Sequence, residues 1–248
     1  FRRNVMKKFI LPLLLILTVG MLAAVESEPS EVVGYFKKTI ESNGWDAFAL
    51  PFGYSNYDIN EILCSQFSDG DYIGDVSGTD VFFCIDDYDG LGHTGWVGTS
   101  TELLPGKAYM LYRATSNPTL EYYLLGKVSP NTLVFEVAGT GNGGWSAFSL
   151  NEAREIDPNI LNITGAIPGD FIGDISGGDV FYYISDYDGM GNPGWVGTTN
   201  TLVPTHAYWY NSQSPTDFSW TYIPNVPRSG IPEGSKINFN NLEKKVRK

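Results

Sequence analysis

An excess of 28 acidic over 16 basic residues in 248, a formal net charge of −12, argues against nucleic acid as a partner, because phosphate binding needs clustered Lys and Arg. The two cysteines and two histidines stand at no zinc-site spacing. With 28 glycines and 14% aromatic residues, the composition favours sheets and tight turns over helices.

In chain order, Lys7-Lys8 precede an apolar run from Phe9 to Val19 and the small residues Leu22-Ala23-Ala24. That order of charge, apolar stretch and small residues reads as a secretory signal peptide over residues 1–24, the alternative being an uncleaved anchor, and the run is short of the roughly 20 residues a membrane span needs. A secreted or cell-surface location is expected, with no membrane span once the segment is cleaved. The segment contains four basic residues and no acidic one, so the remainder is more acidic still.

Two homologous domains follow, at about 31–126 and 129–227. Val32–Ile40 opens the first and Thr132–Ala138 the second, both rich in strand-forming residues. Gly44-Trp45 with Ala47-Phe48 recurs as Gly144-Trp145 with Ala147-Phe148. Asn56–Phe67 and Asp157–Ile163 are the two places where one or two helical turns fit, the second with Pro158 at a first-turn position. Tyr72-Ile73-Gly74-Asp75 recurs as Phe171-Ile172-Gly173-Asp174, and the apolar strands Asp80–Ile85 and Asp179–Ile184 come next. The loop Asp87-Tyr88-Asp89-Gly90, followed by Gly95-Trp96, returns as Asp186-Tyr187-Asp188-Gly189, followed by Gly194-Trp195. Lys107–Arg113 and His206–Asn211 are late strands. The pattern predicts an all-β fold of two β-sandwiches or partly open barrels, each with at most one short helix. Residues 228–248 have no counterpart after the first copy and form a basic tail, predicted to be flexible.

The duplication filters candidate sites, because a residue needed by a shared function should occur in both copies. His93 matches Asn192, His206 matches Lys107, Cys84 matches Tyr183 and Trp209 matches Met110, so none belongs to a shared mechanism. Cys64 and Cys84 are either a disulfide staple on one copy or two buried thiols. No Gly-x-Ser-x-Gly or His-Glu-x-x-His occurs, and the chain reads as a non-enzyme. The loop carboxylates Asp87, Asp89, Asp186 and Asp188 are either hard oxygen ligands for calcium or caps of an Asp-Gly turn. No other cofactor is expected. Trp45, Trp145, Trp96 and Trp195, each after a Gly, are either core aromatics or exposed platforms that stack on sugar rings; Tyr88, Trp96, Tyr187 and Trp195 are the candidate ligand-binding aromatics, the loop tyrosines being the better exposed.

Each copy also resembles a family of extracellular β repeats in exported and surface proteins of bacteria and archaea. The resemblance rests on Gly44-Trp45-Asp46-Ala47-Phe48-Ala49-Leu50-Pro51, on Gly95-Trp96, and on Leu104-Pro105-Gly106-Lys107-Ala108-Tyr109; the second copy has Pro204-Thr205-His206-Ala207-Tyr208-Trp209, without that Gly. It implies a non-catalytic module and carries over no binding residue. Two functions are expected. One is a structural or cell-surface interaction protein whose partners are proteins or further copies of itself, the basic tail seating on the acidic body of a neighbour. The other is a carbohydrate-binding module using the aromatic–acidic loops, with calcium assistance.

Overall fold

The computed structural model describes residues 33–63, 66–128 and 131–224; residues 1–24, Cys64 and the tail 228–248 lie outside the described residues. The described residues belong to one compact unit. The all-β expectation holds, as two sandwiches with no closed barrel.

The first repeat runs β1 Val33–Ile40, β2 Trp45–Phe48, β3 Tyr72–Asp75, β4 Val81–Ile85, β5 Gly95–Gly98, β6 Tyr109–Tyr112 and β7 Leu120–Lys127. The second runs β8 Leu133–Val137, β9 Trp145–Ser149, β10 Phe171–Asp174, β11 Val180–Ile184, β12 Gly194–Gly197, β13 Ala207–Asn211 and β14 Phe218–Tyr222. Each repeat makes a five-stranded antiparallel sheet, in the orders β2-β6-β3-β4-β5 and β9-β13-β10-β11-β12. Each also makes a two-stranded ribbon, β1-β7 and β8-β14, that closes the sandwich. Of the expected helix at 56–67 the described part keeps one turn, α1 Ile59–Ile62, and its counterpart is a 3-10 turn at Pro158–Leu161. Asp58 and Asp157 cap both, their carboxylates accepting from the backbone N–H of Asn60 and Asn159.

Strand alternation decides what fills each core. Phe48, Ile73, Phe82, Trp96, Tyr109 and Leu111 project inward from the first sheet onto Ile40, Tyr122 and Leu124 of the ribbon. Phe148, Ile172, Phe181, Trp195, Tyr208 and Tyr210 do the same against Phe135, Val137, Trp220 and Tyr222. Burying one such side chain contributes about 1.5–3 kcal/mol, and these clusters are the main source of stability. A third cluster of small residues joins the repeats. Ala47, Ala108, Val76 and Met110 of the first meet Ala147, Ala207 and Ile175 of the second. Six of these seven are three matched pairs: Ala47 and Ala147, Ala108 and Ala207, Val76 and Ile175. Ser149 seals the seam, its N–H donating to the Gly106 carbonyl at 2.9 Å and its hydroxyl to the Lys107 carbonyl at 2.7 Å.

Candidate binding surface

The outward faces of the two five-stranded sheets hold an exposed aromatic row common to both repeats. In the first, Trp45 lies opposite Tyr112, Tyr112 opposite Tyr72, Tyr72 opposite Phe83, and Phe83 opposite Val97. In the second, the same register gives Trp145, Asn211, Phe171, Tyr182 and Val196. Exposure agrees position by position: Trp45 57% and Trp145 53%, Phe83 48% and Tyr182 51%, Val97 and Val196 both 37%. Ring geometry repeats too. Trp45 and Tyr72 stand 6.1 Å apart at 77°, and Trp145 and Phe171 6.2 Å apart at 73°. Tyr72–Phe83 and Phe171–Tyr182 are both at 5.3 Å, tilted by 52° and 54°. Gly74 and Gly173 make room for this row, since a Cβ there would meet the ring of Tyr72 or Phe171 at 2.6 Å or less.

Trp96 and Trp195 lie elsewhere, which corrects their place among the candidate ligand-binding aromatics. They are 3% and 4% exposed, because their strand phase matches Phe82 and Phe181 on the core side. The preceding glycine serves the loop instead. A Cβ at Gly95 would lie 2.4 Å from the Tyr88 ring, and one at Gly194 2.7 Å from the Tyr187 ring. Tyr88 and Tyr187 therefore lay one ring face on a glycine and stay partly exposed, as sugar stacking requires.

The acidic loops spend their carboxylates on their own backbone. Asp87 Oδ1 accepts from Gly92 N–H at 2.6 Å, and Asp186 Oδ1 from Gly191 N–H at 2.8 Å. Asp89 and Asp188 each accept at 2.9 Å from the N–H two residues on, Leu91 and Met190. Their other oxygens contact His93 Nδ1 and Asn192 Nδ2, both at 2.6 Å. These bonds hold the Asp89 and Asp188 carboxyls below the usual carboxylate range, the His93 contact leading at Asp89 and the Asn192 amide at Asp188. Asp75 and Asp174 are engaged separately, Asp75 with Ser77, Thr79 and Lys107, and Asp174 with Ser176 and His206. Among the described residues no group of three or more His, Cys, Asp or Glu gathers as a metal site. Cys84 is a buried free thiol, and burial pushes it up to about 12.

Two further positions recur in both copies, and the motif reading passes them over. Asn60 grips the outer edge of β5: its Oδ1 accepts from Trp96 N–H at 2.6 Å and its Nδ2 donates to Trp96 C=O at 3.0 Å. Asn159 does the same to Trp195 on β12, at 2.7 and 3.1 Å. The side-chain amide occupies groups that an added strand would need, so these edges are closed to strand addition at that point. The second position is the buried carboxylate Asp71 or Asp170, described by its loops: Asp71 accepts from Ser68 and Ala114 N–H, Asp170 from Ile167 and Gln213 N–H. Both pairs are legible as identities between the copies, Asp58-x-Asn60 with Asp157-x-Asn159 and Gly70-Asp71 with Gly169-Asp170.

A groove of about 340 Å³ lies between the repeats, lined by Asp75, Lys107, Leu133, Phe135 and Glu136 among others. Its ammonium group is already committed, Lys107 Nζ standing 2.6 Å from Asp80 and 3.3 Å from Asp75. Among the described residues no helix is long and apolar enough to cross a membrane. No family model, curated protein or solved structure matches the chain.

Proposed function

We propose that the chain is an exported, non-catalytic protein that works by surface contact outside the cell, through the outward aromatic faces of its two repeats. The observation that carries this is the row of Trp45, Tyr72 and Phe83 and its counterpart of Trp145, Phe171 and Tyr182, alike in register, tilt and exposure. Exposed, contiguous aromatic surface on a soluble body marks an interaction site, and aromatic side chains are the commonest anchors of such sites. The export segment at 1–24 and the resemblance to extracellular repeats point the same way. Each histidine pairs with one carboxylate, His93 with Asp89 and His206 with Asp174, and neither pair has a matching histidine in the other copy, which supports a role without catalysis.

The test is adhesion of the labelled protein to the surface of the cells that make it. Trp45→Ala with Trp145→Ala should weaken binding at least about tenfold, the loss of one anchor contact or more. Unchanged binding would remove the aromatic faces from the function.

The open ring faces of Tyr88 and Tyr187 support a second reading, a carbohydrate-binding module. On a glycan array, binding abolished by Tyr88→Ala and Tyr187→Ala but not by the tryptophan substitutions would favour it. Calcium assistance of that site would have to draw on the oxygens of Asp87, Asp89, Asp186 and Asp188 against the backbone N–H groups that already hold them.

A further inference from the structure

We propose that the partner of each aromatic row is the equivalent row of another copy of this chain, so that every molecule offers two self-complementary faces and assembles end to end. The inference rests on the surface-contact reading above and commits it to one occupant.

The first argument is continuity with an interface already formed. The alanine end of the same sheet face packs against its own counterpart inside the molecule, through Ala47, Ala108 and Val76 on one side and Ala147, Ala207 and Ile175 on the other. The aromatic row continues that face outward: Trp45 and Ala47 project from the same side of β2, and Trp145 and Ala147 from the same side of β9. A face that accepts its homologue at one end is preshaped to accept it along its length.

The second argument is relief. In the first row Trp45 is tilted by 38° to Tyr112 and stands at 77° to Tyr72, which is tilted by 52° to Phe83; in the second, Trp145 stands at 73° to Phe171 and 87° to Trp209, and Phe171 is tilted by 54° to Tyr182. A flat sugar chain stacks best on coplanar rings, whereas edges and faces that alternate interlock with a surface of the same corrugation. Aromatic pairs prefer such edge-to-face arrangements.

The third argument is charge. The chain carries a net −12, so two copies repel over most of their surfaces. The row positions are uncharged throughout: Trp45, Tyr112, Tyr72, Phe83 and Val97, then Trp145, Asn211, Phe171, Tyr182 and Val196. They are where two acidic bodies can approach.

Taking about 150–250 Å² for a whole aromatic side chain, each row exposes on the order of 350 Å². That is below the roughly 800 Å² per partner of a stable complex, so each junction is weak and the assembly depends on concentration. Two faces per molecule make the product an open chain or a ring rather than a closed dimer.

Sedimentation velocity on the exported chain, from micromolar to near-millimolar protein, tests this. Species beyond the dimer should grow with concentration. Trp45→Ser with Phe83→Ser should stop growth at the dimer, and adding Trp145→Ser with Tyr182→Ser should leave monomer. Val97→Asp and Val196→Asp, which keep every ring, should act as the row substitutions do, and circular dichroism should show an unchanged fold. Raising salt should strengthen association, because it screens the acidic bodies; weakening would point to contacts made by the basic tail and overturn the proposal. A wild-type monomer at every concentration, or oligomers that survive all four row substitutions, would also overturn it. If the protein stays monomeric yet loses cell-surface binding on Trp45→Ala with Trp145→Ala, surface contact stands and self-assembly falls; if it assembles through its rows and binds no cell surface, the reverse holds.

Discussion

The two repeats solve one problem with different chemistry. Both bury a carboxylate, Asp71 and Asp170, 0% exposed, to tie together two loops about 43 residues apart. In the first repeat the Arg113 guanidinium, 3% exposed on its side chain, neutralises it, and Asn117 adds a bond. In the second, Ser212 stands where Arg113 would, and the Tyr210 hydroxyl donates to Asp170 at 2.5 Å. Burial drives the Tyr210 hydroxyl far above its ordinary value, with the Asp170 contact adding to it, so it remains a donor. What the copies share is the anion held by backbone N–H groups; what they are free to change is its partner. A position kept while its partners change is set by the main chain.

The largest effect should come from breaking that difference. Arg113→Ala leaves Asp71 buried without its cation and should cost about 3–5 kcal/mol in urea unfolding of the first repeat. Ser212→Ala, at the matching place, should cost about 0.5–1.5 kcal/mol, the worth of the one bond its hydroxyl accepts from Ser214 N–H. Asp71→Asn strands Arg113 and should cost about 3–5 kcal/mol, whereas Asp170→Asn, with no buried guanidinium beside it, should cost about 1–3 kcal/mol. Equal losses at the two aspartates would show that the partner is irrelevant.

The asparagine clamps should behave alike where the aspartates differ. Asn60→Ala and Asn159→Ala should each cost about 1–3 kcal/mol and speed amide exchange at Trp96 and Trp195. A large disparity between the repeats would break the equivalence.

The acid limb comes next. Burial pushes the Asp174 carboxyl up, but hydrogen bonds from His206 and Ser176 outweigh it and leave the group below its ordinary value; at Asp75 the bonds from Ser77, Thr79 and Lys107 do the same. A carboxyl depressed in the folded state adds stability above its unfolded value of about 3.9, and that stability is lost as pH falls through the folded value. Stability should therefore drop below about pH 4, and Asp75→Asn or Asp174→Asn should each flatten the drop. The smallest effect is calcium. With the loop oxygens held by backbone N–H groups, millimolar calcium should leave the melting curve unchanged, and a rise in Tm would show a native-state site.

Strand positions and the duplication were legible in the chain, because Gly-punctuated aromatic runs have a period of two whatever packs on them. Which face is inside was not. Trp45 and Phe48 are both large and sit in opposite phase, so alternation alone leaves the choice open; the ribbon Tyr122 and Leu124 decides it by packing on Phe48. The four tryptophans that follow a Gly read alike, as core rings or exposed platforms, yet strand phase turns Trp96 and Trp195 inward and Trp45 and Trp145 outward. Asp71 sits in the polar run Ser68-Asp69-Gly70-Asp71, which marks no buried group, and it is buried because the segment around Ala114 folds over it. Each of these outcomes depends on contacts that a local pattern does not encode.

The reach of the asparagine clamp has a consequence for synthesis. Asn60 and Trp96, like Asn159 and Trp195, are separated by 36 residues, so each clamp is made wholly within its own repeat. Tandem copies this alike are prone to exchanging strands as they fold, a common failure of repeat proteins. The first clamp can close before β8 has been made, and it fixes β5 to its own body while the look-alike β12 does not yet exist.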